Sequence, residues 1–280
     1  MNSVQATTKS ATAGGRSVLE GAFALLEALA AGDDRGLTDV AAAAGLPKAT
    51  AHRLLDQLVA LGAVQRQDGR YTLGPRTFRL GQAWRPARLL RAAAARPLGT
   101  LAATTERGGF SLAVAEAGQT ILVTGIGREV NEAFPLRPGV LLPPGTAAEK
   151  ILRATTRVAE PPQGWSPREW SKATRTAREH GLAYDLDMRY VGVACVAAPV
   201  HAPSGTIVAA LAASTFDLRQ VDTVSEAVRR TAAVISAELA RVIRAERAAS
   251  PWPGHEPWPS ADQPPSAAND SSHASHSRTA

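Results

Sequence analysis

The feature that most restricts the fold is a three-residue turn between two helical segments. Gly45-Leu46-Pro47 joins residues 37–44, which are polar at their start and then alanine-rich, to residues 47–61, which show helical periodicity. Gly45 can adopt a positive φ, Leu46 can fill the space between the helices, and Pro47 has no N–H to lose at a helix start. Two helices joined by so short a turn predict a helix-turn-helix.

Segments on both sides of this motif extend it. Upstream, apolar residues recur at helical spacing over residues 16–31. Downstream, residues 63–66 and 70–73 alternate around Asp68-Gly69, and an Asp-Gly pair between alternating segments is a strong hairpin signal. The predicted order is helix, helix, turn, helix and hairpin. Residues 16–75 are therefore predicted to form a winged helix-turn-helix.

The helix after the turn has two distinct faces when its residues are spaced at about 100° each. The apolar face consists of Ala51, Leu54, Leu55, Leu58 and Leu61. The opposite face consists of Ala49, His52, Arg53, Asp56 and Gln57, with Thr50 at the border. We expect the apolar face to pack against the other helices and the polar face to meet solvent or a partner.

The first two turns of the polar face have the chemistry of a DNA contact. Lys48 and Thr50 can bind phosphate beside the helix N-terminus, and Arg53 can form two hydrogen bonds with guanine. Ala49 leaves room for a thymine methyl group. Asp56 opposes phosphate contact farther along the helix. A solvated face would explain these residues in an isolated helix, but the tight turn and the hairpin favour DNA.

The predicted hairpin, or wing, adds two arginines beside its tip. Arg66 and Arg70 are placed where a wing reaches the DNA backbone or the minor groove, although Arg70 is equally well interpreted as a cross-strand surface charge. The predicted DNA-binding residues are Lys48, Ala49, Thr50, His52, Arg53, Arg66 and Arg70.

The distribution of charge agrees with a nucleic-acid partner. The chain has a formal net charge of +6, and residues 1–100 hold 13 Lys and Arg against 7 Asp and Glu. A basic surface alone is often only a solvated face. Here the excess falls in the same third of the chain as the helix-turn-helix, so we expect double-stranded DNA as the partner.

Several other classes of protein are disfavoured. The one cysteine, Cys195, permits no intrachain disulfide, which indicates a reducing compartment. No apolar run approaches the ~20 residues that span a bilayer, and residues 1–15 are predicted to be a flexible arm rather than a signal peptide. These features predict a cytoplasmic protein. Because no phosphate loop, nucleophile elbow or zinc-ligand spacing occurs, no enzyme activity, metal or cofactor is expected.

The second half alternates strands and helices and predicts an α/β (α+β) domain over residues 101–248. The predicted strands are 111–115, 120–124, 182–187, 194–200 and 207–214. Ser166, Pro167 and Glu169 have the spacing of a capping box, which predicts a helix ending at Gly181. A final amphipathic helix is predicted over residues 224–246.

Two further segments connect or follow these domains. Residues 76–100 are predicted to form a linker helix that is interrupted near Pro86 and helps dimerisation. Residues 249–280 include Pro251-Trp252-Pro253-Gly254 and lack apolar periodicity. Such a composition buries too little apolar surface to offset its ordering entropy, so this segment is predicted to be a disordered tail.

Three stretches of sequence resemble one protein family. The stretches are residues 45–55 (GLPKATAHRLL), residues 69–75 (GRYTLGP) and residues 192–200 (GVACVAAPV). Together they are similar to the signature of IclR-type transcription regulators, and the resemblance extends from residue 16 to about residue 247. It implies a dimer or a dimer of dimers. It also implies a GAF-like effector domain, a curved antiparallel sheet with flanking helices, whose pocket takes small metabolites, often carboxylates or aromatic acids.

The same resemblance implies a set of effector-binding residues. Carried over by position, they are Thr146, Ala147, Asp187, Cys195 and Ser214. The chain departs from the family pattern beside them: Pro144 replaces a histidine, Glu149 replaces a glycine, and residues 187–191 replace the usual acidic, polar loop.

The residues by themselves leave alternatives open at this pocket. Thr146 can serve as a modest anion site or as an ordinary helix N-cap. Cys195 lies in an apolar run and is more typical of a small buried hydrophobic residue than of a ligand or nucleophile. Arg189 can neutralise a carboxylate ligand or be solvated. We expect a regulator whose effector shifts the arrangement of two winged domains. The alternative is a DNA-binding protein whose second domain only oligomerises and binds no ligand.

Overall fold

A computed structural model defines most of the 280-residue chain. It describes residues 17–32, 34–105, 108–154, 160–186 and 192–249. The chain divides after Trp84 into two compact units, Met1–Trp84 and Arg85–Ala280. The arm expected at residues 1–15 and, apart from Ala249, the tail expected at residues 249–280 lie outside the described residues.

The first unit is a winged helix, as the sequence predicts. Its elements are α1 (Val18–Ala30), β1 (Arg35–Gly36), α2 (Leu37–Ala43), α3 (Lys48–Ala60), β2 (Val64–Gln67), β3 (Arg70–Leu73) and α4 (Pro75–Gln82). The strands form an antiparallel sheet in the order β1-β3-β2. Strand β1 was not predicted, because its two residues become a strand only by pairing with Tyr71 and Arg70.

Local signals explain where these helices begin and turn. Ser17 caps α1 by accepting from the Glu20 N–H, and the Glu20 side chain accepts from the Ser17 N–H. Gly45 has a φ of 63°, as expected for the turn between α2 and α3. Pro47 is the N-cap of α3 rather than its first helical residue, because its ψ of 138° is extended.

The apolar face predicted for α3 is correct except at its end. Ala51, Leu54, Leu55 and Leu58 are buried among α1, α2 and the sheet. Leu61 is 56% exposed, so its predicted place in the core is wrong. The reason is that α3 ends at Ala60, which leaves Leu61 as the C-cap beyond the last packed turn.

The second unit is an antiparallel sheet with helices packed on it, which confirms the predicted fold class. Its elements are α5 (Arg85–Thr104), β4 (Gly109–Glu116), β5 (Gln119–Ile126), α6 (Arg128–Ala133), α7 (Ala147–Arg153), α8 (Pro167–His180), β6 (Ala183–Asp185), β7 (Ala194–His201), β8 (Ile207–Thr215) and α9 (Leu218–Ala249). The strand order is β5-β4-β8-β7-β6. The capping box of α8 and its end at Gly181, with a φ of 64°, are confirmed.

Residues 76–100 are divided between the two units. Helix α4 belongs to the first unit and α5 to the second. The predicted interruption near Pro86 is present just before it, and Pro86 itself lies in the first turn of α5, where its missing N–H costs no helical hydrogen bond. The break falls at Ala83 and Trp84.

Helices α5 and α9 are joined at one end by a partly buried carboxylate. Glu246 accepts from Arg85 at 2.9 Å and also binds Arg88. Burial by itself raises the pKa of Glu246, but the hydrogen bonds and charges of Arg85 and Arg88 outweigh it and hold the pKa below its usual value. No helix in the described part of the chain is long and apolar enough to cross a membrane.

The packing of α3 predicts a large cost for shortening Leu55. Leu55→Ala leaves a cavity in the core of the first unit, so we expect the free energy of unfolding to fall by about 2–5 kcal/mol. Urea denaturation followed by circular dichroism measures it. Leu61→Ala removes the same atoms from an exposed side chain and serves as the matched control, with an expected change within about 0.5 kcal/mol. Equal losses in both variants would contradict this packing.

The Glu246 contacts predict a pH-dependent contribution to stability. Because the folded-state pKa of Glu246 is lowered, its stabilisation is present above the unfolded-state pKa of about 4.3 and is lost as the pH falls through the folded-state value. Glu246→Gln should lower the melting temperature at pH 7, and the difference from the unsubstituted protein should shrink below about pH 4.3. Glu238→Gln, which alters an ion pair within α9, is the control. A difference that stays constant down to pH 3 would contradict the assignment.

Candidate functional site

The first candidate surface is the exposed face of α3 at its N-terminal half. All five predicted contact residues of this helix lie on its first two turns. Four are exposed and Thr50 is half-buried: Lys48, Ala49, Thr50, His52 and Arg53. The buried face of α3 fixes the helix in the first unit, so these side chains are presented together to solvent.

The N-terminus of α3 is open to an anion. Pro47, the N-cap, makes no side-chain hydrogen bond to the first turn. The N–H groups of that turn therefore lack the partner that Ser17 supplies to α1. With Lys48 beside them, these N–H groups have the geometry and the charge of a phosphate-binding helix start.

In the second turn of α3, His52 lies beside the carboxylate of Asp56, which limits the basic surface. His52 Nδ1 lies 3.1 Å from Asp56 Oδ2, and about half of each side chain is exposed. The carboxylate of Asp56 marks the end of the face that can approach phosphate. This placement agrees with the expectation that only the first two turns contact DNA.

The wing is a tight hairpin whose tip is Asp68-Gly69. Both residues have positive φ, 50° and 77°, which matches a two-residue turn of the hairpin type. The guanidinium carbon of Arg66 lies 5.5 Å from the centroid of the Tyr71 ring. Because Tyr71 is itself buried, this contact fixes the Arg66 stem while its side chain stays exposed.

Arg70 has partners within the first unit. Its Nη2 donates to the Asp34 carbonyl at 2.6 Å, and its Nε lies 2.8 Å from Asp34 Oδ2. The side chain thereby joins the wing to the loop before β1. Of the two interpretations left open by the sequence, these contacts support the structural one for Arg70 and leave Arg66 as the arginine of the wing tip.

The second candidate site is a narrow cavity of about 40 Å³ on one face of the five-stranded sheet. Four of the five residues implied by the family resemblance line it together: Thr146, Ala147, Cys195 and Ser214. The fifth, Asp187, lies outside the described residues, as does Arg189. The sequence did not identify the remaining lining residues, which are Ser111, Val130, Phe134, Leu136, Leu142, Pro143, Ala148, Val193 and Ala212. Most of them are apolar, so periodicity alone could not separate them from the core.

Cys195 and Ser214 form a polar pair in this cavity. They are directly opposite each other on β7 and β8, and Sγ lies 3.2 Å from Oγ. The pKa of Cys195 is raised to about 11, mainly by burial; the Ser214 hydrogen bond and the charge of Lys150 lower it in part, and the charge of Asp185 adds to the rise. Cys195 is therefore a neutral thiol near pH 7, suited to hydrogen bonding rather than to nucleophilic attack.

The start of α7 forms another part of the cavity and is already capped. Thr146 Oγ1 accepts from the Glu149 N–H at 3.4 Å, so Thr146 serves as the N-cap. Glu149 Oε2 accepts from the Gly145 N–H at 2.6 Å. The glutamate that departs from the family pattern therefore satisfies the N–H of Gly145 beside the cavity.

A buried lysine connects α7 to β6. Lys150 Nζ donates to the Tyr184 carbonyl at 2.6 Å and lies 4.9 Å from the centroid of the Trp165 ring. Trp165 also packs against Gly145, where an added Cβ would lie 2.2 Å from the indole Nε1. Sequence reasoning missed this arrangement, since it depends on residues from three separate segments.

Comparisons with known proteins match both units of the chain. The sequence model of the IclR helix-turn-helix domain matches residues 18–68, and that of the bacterial transcriptional regulator IclR C-terminal domain matches residues 90–237. The glycerol operon regulatory protein of Streptomyces griseus is 33% identical over 203 residues, covering 65% of this chain and 78% of that protein. The corresponding protein of Streptomyces coelicolor is 32% identical over 199 residues, with the same coverage.

Solved structures show the same fold. An IclR homolog from Microbacterium hydrocarbonoxydans, complexed with 4-hydroxybenzoate, has a TM-score of 0.70 at 22% identity and covers 80% of this chain and all (100%) of that one. Thermotoga maritima IclR has a TM-score of 0.59 at 20% identity and covers 79% of this chain and 98% of that one.

The domain matches, the relatives and the geometry of the two sites lead to one assignment. The chain belongs to the IclR family of bacterial transcriptional regulators, in which an N-terminal helix-turn-helix domain binds DNA and a C-terminal domain binds a small-molecule effector.

Proposed function

We propose that this regulator binds a pseudo-palindromic operator as a dimer, with the first two turns of α3 in the major groove. The observation that carries the proposal is the open N-terminus of α3 beside the exposed Lys48 and Arg53. Lys48, Thr50 and the first-turn N–H groups contact phosphate, while Arg53 pairs with a guanine. A symmetric dimer requires two such half-sites related by a two-fold axis.

Exposed apolar side chains of the first unit support the dimer. On α1, Val18, Leu19 and Phe23 are 55%, 73% and 64% exposed, and on α4, Phe78 and Leu80 are 67% and 65% exposed. Leu19 and Phe23 are one helical turn apart and lie on the same side of α1. Burying such side chains against a second copy removes apolar surface from water, which favours association.

The effector we assign to the second unit is a small carboxylic acid with a compact apolar body. The cavity walls are mainly apolar, and the polar groups of Thr146, Cys195 and Ser214 lie among them. Glycerol, suggested by the names of the two Streptomyces relatives, has three hydroxyl groups to satisfy and no apolar body. An aromatic or branched acid fits this combination of walls and polar groups better.

The size of the cavity supports a mechanism by population shift. At about 40 Å³ it is far below the roughly 300–1,000 Å³ of typical ligand sites. An effector therefore binds a conformation in which α7 and the sheet lie farther apart, and stabilises that conformation over this one. The two winged domains of a dimer then match their half-sites with a different spacing. The same small volume also favours the alternative, in which the second unit only oligomerises. A ligand-binding measurement distinguishes the two.

The operator proposal predicts different outcomes for two basic residues of α3. Arg53→Ala should cost roughly 1–3 kcal/mol in operator binding and relax the preference at one base position. Lys48→Ala should weaken binding to all sequences and lower the salt slope by about 1. Selection of genomic fragments followed by titration at several salt concentrations measures both effects. Arg229→Ala removes one exposed charge from the second unit and is the control. Uniform losses for Arg53→Ala would refute its role in base recognition.

The effector proposal predicts stabilisation by carboxylic acids but not by their amides. A ligand at one hundred times its Kd should stabilise the protein by about 2.7 kcal/mol, which a thermal shift detects. The panel pairs each acid with its amide and includes glycerol. Ser214→Ala should reduce the shift, whereas Ser204→Ala, in the exposed turn between β7 and β8, should not. If no compound of a broad panel shifts the melting temperature, the result supports the alternative that the second unit only oligomerises.

A further inference from the structure

A second concave surface lies between α5 and α9, away from the effector cavity. The two helices are antiparallel, because Arg85 and Arg88 at the start of α5 bind Glu246 near the end of α9. A groove of about 620 Å³ runs along their outer side and shares no lining residue with the cavity. It is lined by Ala92, Ala93, Arg96, Pro97, Thr100, Leu101, Thr104, Ala227, Arg230, Thr231, Val234, Glu238 and Arg241.

The groove combines an apolar floor with a cationic rim. Small or apolar side chains form most of the floor, and Val234 is 49% exposed there. The rim carries Arg96, Arg230 and Arg241, of which Arg241 pairs with Glu238 and Arg230 lies 3.6 Å from Glu226. Flat guanidinium groups beside apolar surface favour an occupant that has aromatic rings and negative charge.

The sequence that directly follows α9 has this chemistry. Pro251-Trp252-Pro253 recurs as Pro257-Trp258-Pro259, and two of the five tryptophans of the chain lie in these tripeptides. Residues 250–270 contain three acidic residues and no lysine or arginine. Segments that stay disordered are poor in aromatic residues. A repeated tryptophan between prolines therefore indicates a binding segment within the tail.

The spacing of the two tryptophans matches the length of the groove. Proline-rich chain favours the polyproline II helix, with three residues per turn and about 3.1 Å per residue, so residues six apart lie on the same side about 19 Å apart. On α9 the groove extends from Ala227 to Arg241, which is about 21 Å of helix. Both rings can therefore lie in the groove at once.

The tail also has the reach to return along α9. Helix α9 ends at Ala249, so Arg230 lies about 28 Å back along the helix axis. Nine residues of polyproline II from Ala249 to Trp258 span about the same distance. Folding back places Trp258 near Arg230 and Trp252 near the Arg241 end, without a long unsupported loop.

We infer that residues 251–259 of this chain dock in the groove between its own α5 and α9, with Trp252 and Trp258 against the arginines of the rim. The tail then covers apolar surface such as Val234, and the one carboxylate of the docked segment, Glu256, lies in the field of Arg96, Arg230 and Arg241. This interaction is independent of the operator and of the effector.

Fluorine NMR of the full chain labelled with 5-fluorotryptophan tests the inference. Trp252→Phe and Trp258→Phe assign the two tail resonances, and a labelled peptide of residues 250–280 gives their undocked positions. In the full chain both resonances should be shifted and broadened relative to the peptide. Val234→Glu should return them to the peptide positions, because it places a negative charge in the floor of the groove.

Matched variants separate docking from loss of structure. Ala233→Glu adds the same charge at an exposed residue outside the groove and should leave the tail resonances shifted. The resonance of the buried Trp170 reports that each variant is folded. Arg230→Ala is a milder second variant and should move the Trp258 resonance more than that of Trp252.

Three results would overturn the inference. Tail resonances at the peptide positions in the unsubstituted chain would exclude docking. Equal responses to Val234→Glu and Ala233→Glu would place the tail elsewhere. The last result comes from a mixture of two kinds of chain: labelled Val234→Glu chains, whose groove is altered, and unlabelled chains carrying Trp252→Ala and Trp258→Ala, whose groove is intact. If the labelled tail resonances move back to the shifted positions in this mixture, the tail binds the groove of a second copy instead.

Discussion

Small side chains at the centre of the five-stranded sheet determine how closely the helices of the second unit can pack. Strands β7 and β8 are rich in alanine, with Ala197, Ala198, Ala210 and Ala212 all buried. Side chains alternate between the two faces of a strand, so α7 and α9 both contact β7 and β8 over short side chains. Close approach of α7 leaves a cavity of only about 40 Å³. The polar groups of Thr146, Cys195 and Ser214 therefore line a narrow cavity between α7 and the sheet.

The parts of the fold that could be predicted from sequence are those with local physical causes. Asp68-Gly69 and Gly45 require positive φ, and Ser166 with Glu169 satisfies the first turn of its own helix. Each of these signals acts within a few residues. In contrast, β1 exists only through its pairing with β3, and Arg70 is bound by Asp34 from 36 positions away. No local pattern contains such contacts.

The effector cavity illustrates the same limit at the level of the site. The family resemblance located Thr146, Ala147, Cys195 and Ser214, but it did not show that Cys195 and Ser214 face each other across two strands. That register depends on the length of the turn between β7 and β8. Nor did it show that Glu149 would accept from the N–H of Gly145. The departure from the family pattern at Glu149 thus brings a hydrogen bond that only the folded chain reveals.

Helix α9 is the element through which a change at the sheet can reach the rest of the chain. Its middle packs on β7 and β8, where Ser236 accepts from the His201 N–H, and its last turns hold Arg85 and Arg88 through Glu246. Arg85 is the first residue after the division of the chain at Trp84. A helix is stiff along its axis, so a displacement of α9 on the sheet moves Glu246 and with it the start of α5. Because the contact at Glu246 is charged and only partly exposed, it resists separation better than a solvent-exposed ion pair would. The point at which the chain enters the second unit is therefore tied to α9 through Glu246.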